Sequence, residues 1–207
     1  MKRWIGLLAI LTLSLSSLAQ TPTEIISRME EEMNKHEKDG ISLTMDVKIP
    51  IVGSISTLTH TKDKKARMEA EVKGVRVITW IDGENQWIYN TKDNEVVIEK
   101  TDPAKADKDG GDAAMLTGIA EGYDVSISKE TPQAWYLLCK KSKDNKDKDD
   151  PKTMDLVVAK GTYYPVSLSA KLSGVTLTLH NISFGVTEKQ VNFNAADFPG
   201  VKITDKR

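Results

Sequence analysis

A chain of 207 residues is long enough for one sizeable core, since all-β sandwiches and barrels run to about 200–250 residues as single units. Lys and Arg number 29 against 30 Asp and Glu, and a net charge of −1 gives no electrostatic reason to expect nucleic acid or an anionic membrane as the main partner. Cys139 is the lone cysteine, which excludes an intramolecular disulfide.

Residues 1–19 read as a secretory signal peptide. Lys2 and Arg3 open it, Ile5 to Leu15 form its apolar middle, and Ser17-Leu18-Ala19 is a small-x-small cleavage site before Gln20. What remains, 20–207, is expected to be one domain with 27 basic and 30 acidic residues. No cysteine follows the cleavage site to take a lipoprotein's lipid, and no later apolar run approaches the roughly 18 residues of a membrane span. The expectation is an exported, periplasmic, soluble protein without a lipid anchor.

Helix signals come first. Thr21 with Glu24 makes a capping box, Pro22 suits the first helical position, and Asp39-Gly40 closes the element after His36. Ile25, Ile26, Met29 and Met33 recur at steps of three and four, an apolar stripe fit to cover a sheet. Its methionines adapt to surfaces of varied shape.

From Ile41 the period drops to two. Ile41, Leu43, Met45, Val47 and Ile49 alternate with polar residues, a Ser- and Thr-rich strand follows at 54–61, and Ala66, Met68, Ala70 and Val72 alternate with charges. Gly74 to Lys100 reads as three strands joined at Asp82-Gly83 and at Thr91-Lys92-Asp93-Asn94. Trp80, Trp87 and Tyr89 give this meander the densest aromatic surface of the chain. After a loop with Pro103 and Gly110-Gly111, residues 113–121 read as a short inserted helix. Asp112 is its cap, Gly122 its stop, and Met115, Leu116 and Ile119 its inward face. It reads as a lid or plug. Strands resume at 123–128, 133–141, 153–159, 166–172 and 175–184, before a last extended piece. Short connections favour an up-and-down meander, and about eleven strands predict strong curling toward a barrel.

Chemistry-bearing patterns are missing. His36, His60 and His180 lack metal-ligand spacing, and Asn145-x-Asp147-x-Asp149 fails as a calcium loop because Asp150 and Leu156 stand where Gly and Glu are required. There is no nucleophile elbow, P-loop or dinucleotide fingerprint. Cys139, within Trp135-Tyr136-Leu137-Leu138, reads as a buried, inert thiol. The sequence therefore predicts no catalytic residues, no metal, no cofactor and no enzyme.

Two stretches carry a resemblance: Ile81-Asp82-Gly83-Glu84-Asn85-Gln86-Trp87-Ile88-Tyr89-Asn90, and Phe193 with Phe198-Pro199-Gly200-Val201-Lys202-Ile203-Thr204-Asp205. With the leading helix, the curled sheet and the inserted helix, the chain resembles the LolA-type outer-membrane lipoprotein carriers. That resemblance implies an unclosed β-barrel, mainly β with α, roofed by the two helices over an apolar cavity for lipoprotein acyl chains. Candidate cavity residues are Ile25, Met29, Met33, Met45, Met68, Met115, Leu116 and Ile119, with Trp87 placed nearer the cavity than Trp80 by analogy. Implied partners are an inner-membrane releasing complex and an outer-membrane acceptor, with no nucleic acid and a monomeric carrier. One departure stands out: Lys62-Asp63-Lys64-Lys65-Ala66-Arg67 lacks the family's basic-residue-before-proline element, linked to handover. Two other readings share the sequence: an envelope lipid-binding or lipoprotein-sensing module on the same fold, and an interaction protein with a packed interior.

Overall fold

The computed structural model describes residues 20–51, 53–101 and 115–207. The signal peptide, and the expected Asp112 cap and start of the inserted helix, lie outside them. Helix α1 spans Pro22–Lys35, and its capping box forms as read: the Thr21 side chain accepts from the Glu24 N–H while the Glu24 carboxylate accepts from the Thr21 N–H.

Two meanders make one sheet. The first is β1 (Ile41–Ile49), β2 (Gly53–Lys62), β3 (Lys65–Val72), β4 (Val75–Ile81), β5 (Asn85–Asn90) and β6 (Glu95–Lys100). The second is β7 (Tyr123–Glu130), β8 (Ala134–Lys141), β9 (Thr153–Ala159), β10 (Pro165–Leu172) and β11 (Val175–Phe184). Antiparallel pairing of β1 with β11 joins them, and β12 (Lys202–Asp205) adds itself in parallel beside β6. The strand order is β12-β6-β5-β4-β3-β2-β1-β11-β10-β9-β8-β7, so the curled sheet keeps two free edges and does not close. The twelfth strand is the extended C-terminal piece.

Asp82-Gly83 turns the chain for the reason expected. Gly83 takes a φ of 95, while the Asp82 carboxylate accepts from the N–H groups of Glu84 and Asn85 at 2.9 and 2.7 Å. Gly40 is needed for space as well as for its φ of 73: a Cβ there would stand 2.5 Å from the Thr61 carbonyl oxygen.

The inserted helix is shorter than expected. Met115 and Leu116 lie in a 3₁₀ turn, Gly118 takes a left-handed φ of 69, and only α2, Ile119–Gly122, is α-helical. Gly118 breaks the element rather than merely weakening it, because its left-handed backbone cannot continue a right-handed helix. Last comes a C-terminal clasp: α3 (Glu188–Val191) and a 3₁₀ turn at Ala195–Asp197 lead into β12.

Following the register from strand to strand sorts the side chains into two faces. Leu43, Thr59, Met68, Thr79, Ile88 and Val97 lie level on one face, here called concave. His60, Arg67, Trp80, Trp87 and Ile98 lie level on the other. α1 and α2 roof the concave face over the second meander, and the clasp covers the outer face of the first. Among the described residues, the buried apolar side chains therefore fall into the cluster under the roof and a second group, Ile78, Trp80, Val96 and Ile98, on the outer face.

Candidate functional site

The roof over the second meander is closely packed. Ile25, Ile26, Met29, Leu116 and Ile119 are at most 1% exposed, as are Leu43, Leu137, Leu156, Leu168 and Leu179 below them. Met33, Met45 and Met115 join the same cluster. The hollow expected directly beneath the helices is thus filled by the helices' own side chains, because two turns of Ile and Met reach into the curl of the sheet. Among the described residues, clefts open at margins of the roof. One cleft of about 400 Å³ has Met115, Ile119, Tyr123 and Met154 in its lining, with Asp144 and Asp150 beside them. Another of about 370 Å³ lies among Met33, Ile41, Thr61, Lys62 and Phe184, where α1 ends.

Consecutive tyrosines fasten the roof. The Tyr163 hydroxyl accepts from the Gln20 amide and, at 3.2 Å, from Arg28. The Tyr164 hydroxyl lies 2.7 Å from His36 Nε2, while His36 stacks on Phe184 at 4.8 Å and meets Asp39 at 2.6 Å. A φ of 57 at Tyr163 lets neighbouring rings reach opposite ends of one helix. Glu30 also accepts from the Ile119 N–H at 3.1 Å, so α1 and α2 form one roof. No pattern in Gly161-Thr162-Tyr163-Tyr164-Pro165 announces this latch.

Beyond the roof the concave face continues across β2, β3 and β4 as an uncharged stripe. Thr57, Thr61, Ala66, Met68, Ala70, Val77, Thr79 and Ile81 are half-buried along it, and Ile88 and Val97 extend it. Among the described residues no helix makes more than marginal contact with β4, β5 or β6. Charges on β3 go to the other side, where Glu69 pairs with both Arg67 and Arg76. Those pairs, the Arg76 hydrogen bond foremost, hold the Glu69 carboxyl below its usual range. The stripe ends at a polar border of Gln86, Asn90, Glu95 and Glu99.

Of the residues singled out from sequence, eight gather on or under the concave face: Ile25, Met29, Met33, Met45, Met115, Leu116 and Ile119 in the roofed half, and Met68 on the stripe. Trp87 does not join them. Counting parity along the chain sets it apart from Trp80, but the turn between them pairs Trp80 with Trp87 directly, so both stand on the outer face. There Trp87 stacks on Phe193 at 5.9 Å, and Phe198 packs against Tyr89 at 4.9 Å. Cys139 is fully buried, and burial, with Asp155 adding to it, pushes its thiol up to about 11. Among the described residues no group of His, Cys, Asp or Glu is placed to hold a metal ion.

His60 lies on the outer strand face beneath α3, 8% exposed, and its Nδ1 has no partner among the described residues. Burial first, then the Arg67 guanidinium, holds its pKa below the ordinary 6.5, while Glu69 pulls weakly the other way. With the folded value depressed, the unfolded chain takes up the proton first, so stability is whole above pH 6.5 and falls as the pH drops toward the folded value. Thermal melts across this window should show a slope in the wild type that flattens in a His60→Leu variant. Identical slopes would remove His60 from the account.

No family model matches the sequence, and neither does any curated protein. Solved structures do. The lipoprotein LppX of Mycobacterium tuberculosis superposes with a TM-score of 0.54 at 12% identity, over 82% of this chain and 97% of that one. An uncharacterized conserved protein from Thermus thermophilus gives 0.45 at 16% identity, over 88% and 98%. A LolA superfamily protein from Nitrosomonas europaea gives 0.34 at 10%, over 86% and 100%. Identities this low speak to fold alone, and it is the likeness to LppX that carries weight. The fold, like that of LppX, is an unclosed β-barrel: a mainly β, twelve-stranded curled sheet with few helices.

Proposed function

We propose that this protein is a periplasmic, non-enzymatic carrier that holds the acyl chains of a lipoprotein against its concave face and shuttles them from inner to outer membrane. The observation that carries the reading is the uncharged stripe from β2 to β4, continuous with the cleft at Met33 and Thr61. A solvated sheet face normally alternates into charge; here the charges of β1, β3 and β4 all go to the opposite side. An acyl chain gains about 0.8 kcal/mol per buried CH₂, so an apolar strip of this kind is what a shuttle must offer. The 370 and 400 Å³ clefts fall within the range of small-molecule sites. Ile25, Met29 and Met33 act as a stopper that a ligand displaces, with the tyrosine latch limiting how far the roof lifts.

The inner-membrane releasing complex and outer-membrane acceptor follow from the LolA resemblance, and the missing basic-Pro element makes handover the step most open to a different solution. Free lipid as cargo is the second reading, favoured by a stripe that offers no anchor specific to peptide. Mass spectrometry of lipid extracted from native protein separates the two. Acylated peptide supports the lipoprotein carrier, and phospholipid alone supports the lipid-binding module. Absence of both, with no fluorescence gain from an apolar dye, would refute each.

A further inference from the structure

Ile51, at the tip of the β1–β2 hairpin, is wholly exposed, and its φ of 71 puts a β-branched residue in the left-handed region. Asn, Asp or Gly would make that turn with less crowding. Both features run against stability and solubility, and strain of this kind gathers at functional positions.

The register shows what surrounds the tip. Lys48 of β1 pairs with Thr176 of β11, and Lys171 of β10 pairs with the same Thr176, so the two lysines stand level on either side of Thr176 on the outer face. β2 and β3 pair as far as Thr57 with Ala70, which brings the β3–β4 turn at Lys73 to the same end, beside a 42% exposed Val72. None of the three lysines is in an ion pair among the described residues. The nearby segment from Ser142 to Lys152 sets Lys143, Lys146, Lys148 and Lys152 against Asp144, Asp147, Asp149 and Asp150 and adds no net sign. Glu71 is opposed by Arg76 across the β3–β4 ladder.

We propose that this hairpin tip docks the end of the barrel onto an anionic lipid bilayer, with Ile51 entering the acyl boundary and Lys48, Lys73 and Lys171 seated among the headgroups. An apolar apex ringed by cations is matched to that interface, where each lysine adds attraction and the apolar group gains by leaving water. Near-neutral overall charge leaves the pull local, which fixes the orientation. The 400 Å³ cleft has Asp144, Asn145, Asp150 and Pro151 in its lining at the same end of the sheet, so docking turns that cleft toward the membrane.

The test is co-sedimentation of the purified protein with vesicles of phosphatidylglycerol and phosphatidylcholine in roughly equal parts, and with phosphatidylcholine alone. The mixed vesicles should bind the wild type in a salt-sensitive way. Ile51→Asp should weaken binding about tenfold, and Lys73→Glu or Lys171→Glu at least about fivefold each. The Ile51→Asp protein should melt no lower than wild type, because Asp tolerates the left-handed turn. Equal binding to both vesicle types, no binding to either, or undiminished binding by Ile51→Asp would each overturn the proposal. Apolar-dye uptake by the same variant keeps the issues apart: docking lost with uptake intact concerns this tip alone, and uptake absent with docking intact counts only against the acyl carrier.

Discussion

Replacing Met68 with glutamate is expected to lower the affinity for an apolar dye or fluorescent fatty acid at least about tenfold while leaving the melting temperature close to wild type. Met68 stands on the concave face of β3 between Thr59 and Thr79, half-buried, with uncharged neighbours on every side. A carboxylate there keeps its water only if no acyl chain covers it. Binding must then either strip that water or forgo the middle of the stripe, and several methylenes at about 0.8 kcal/mol each are lost. The fold has little at stake, because the residue is outside the packed cluster beneath α1. Glu71→Lys, three residues on and on the outer face, is the control and should bind normally. Equal binding by Met68→Glu would move the site off the stripe and into the margins of the roof.

Trp80→Ala is expected to cost about 3–5 kcal/mol, a large share of the roughly 5–15 kcal/mol by which a domain of this kind is stable. Its indole is 5% exposed, meets Phe193 and Phe198 edge-on at 5.4 and 5.5 Å, and lies under the Arg67 guanidinium at 5.7 Å. The alanine variant loses this area and leaves a void that the surrounding strands cannot close. The damage should reach β12, since the two phenylalanines anchor the segment that delivers it to β6. Chemical denaturation measures the loss, and hydrogen exchange at Lys202–Asp205 should accelerate well beyond that of β9 or β10. A loss below about 1 kcal/mol would show that the clasp is held by its ion pairs, such as Lys65 with Glu188 at 2.8 Å, rather than by its rings. Trp80→Phe keeps a ring in the cluster and should fall between the two.

Short-range patterns in the chain were enough to set most of its elements, the inserted helix that Gly118 breaks excepted. α1 was legible from its capping box and its 3.6-residue stripe, the strands from alternation, and the Asp82-Gly83 hairpin from its turn chemistry, because each of these rests on residues a few positions apart. The gathering of Ile25, Met29, Met33, Met45 and Ile119 followed, since a helix stripe has one place to go when a sheet offers an apolar face. Which face Trp87 occupies was settled in three dimensions, because the register of each turn decides whether parity counted along the chain is kept, as from Leu43 to Thr59, or reversed, as from Trp80 to Trp87. The folded molecule alone showed that the interior under α1 is filled, that Tyr163 and Tyr164 grip both ends of that helix, and that Ile51 stands bare beside Lys48, Lys73 and Lys171. These depend on residues far apart in the chain, or on one backbone angle. Local propensity and periodicity carry no record of either.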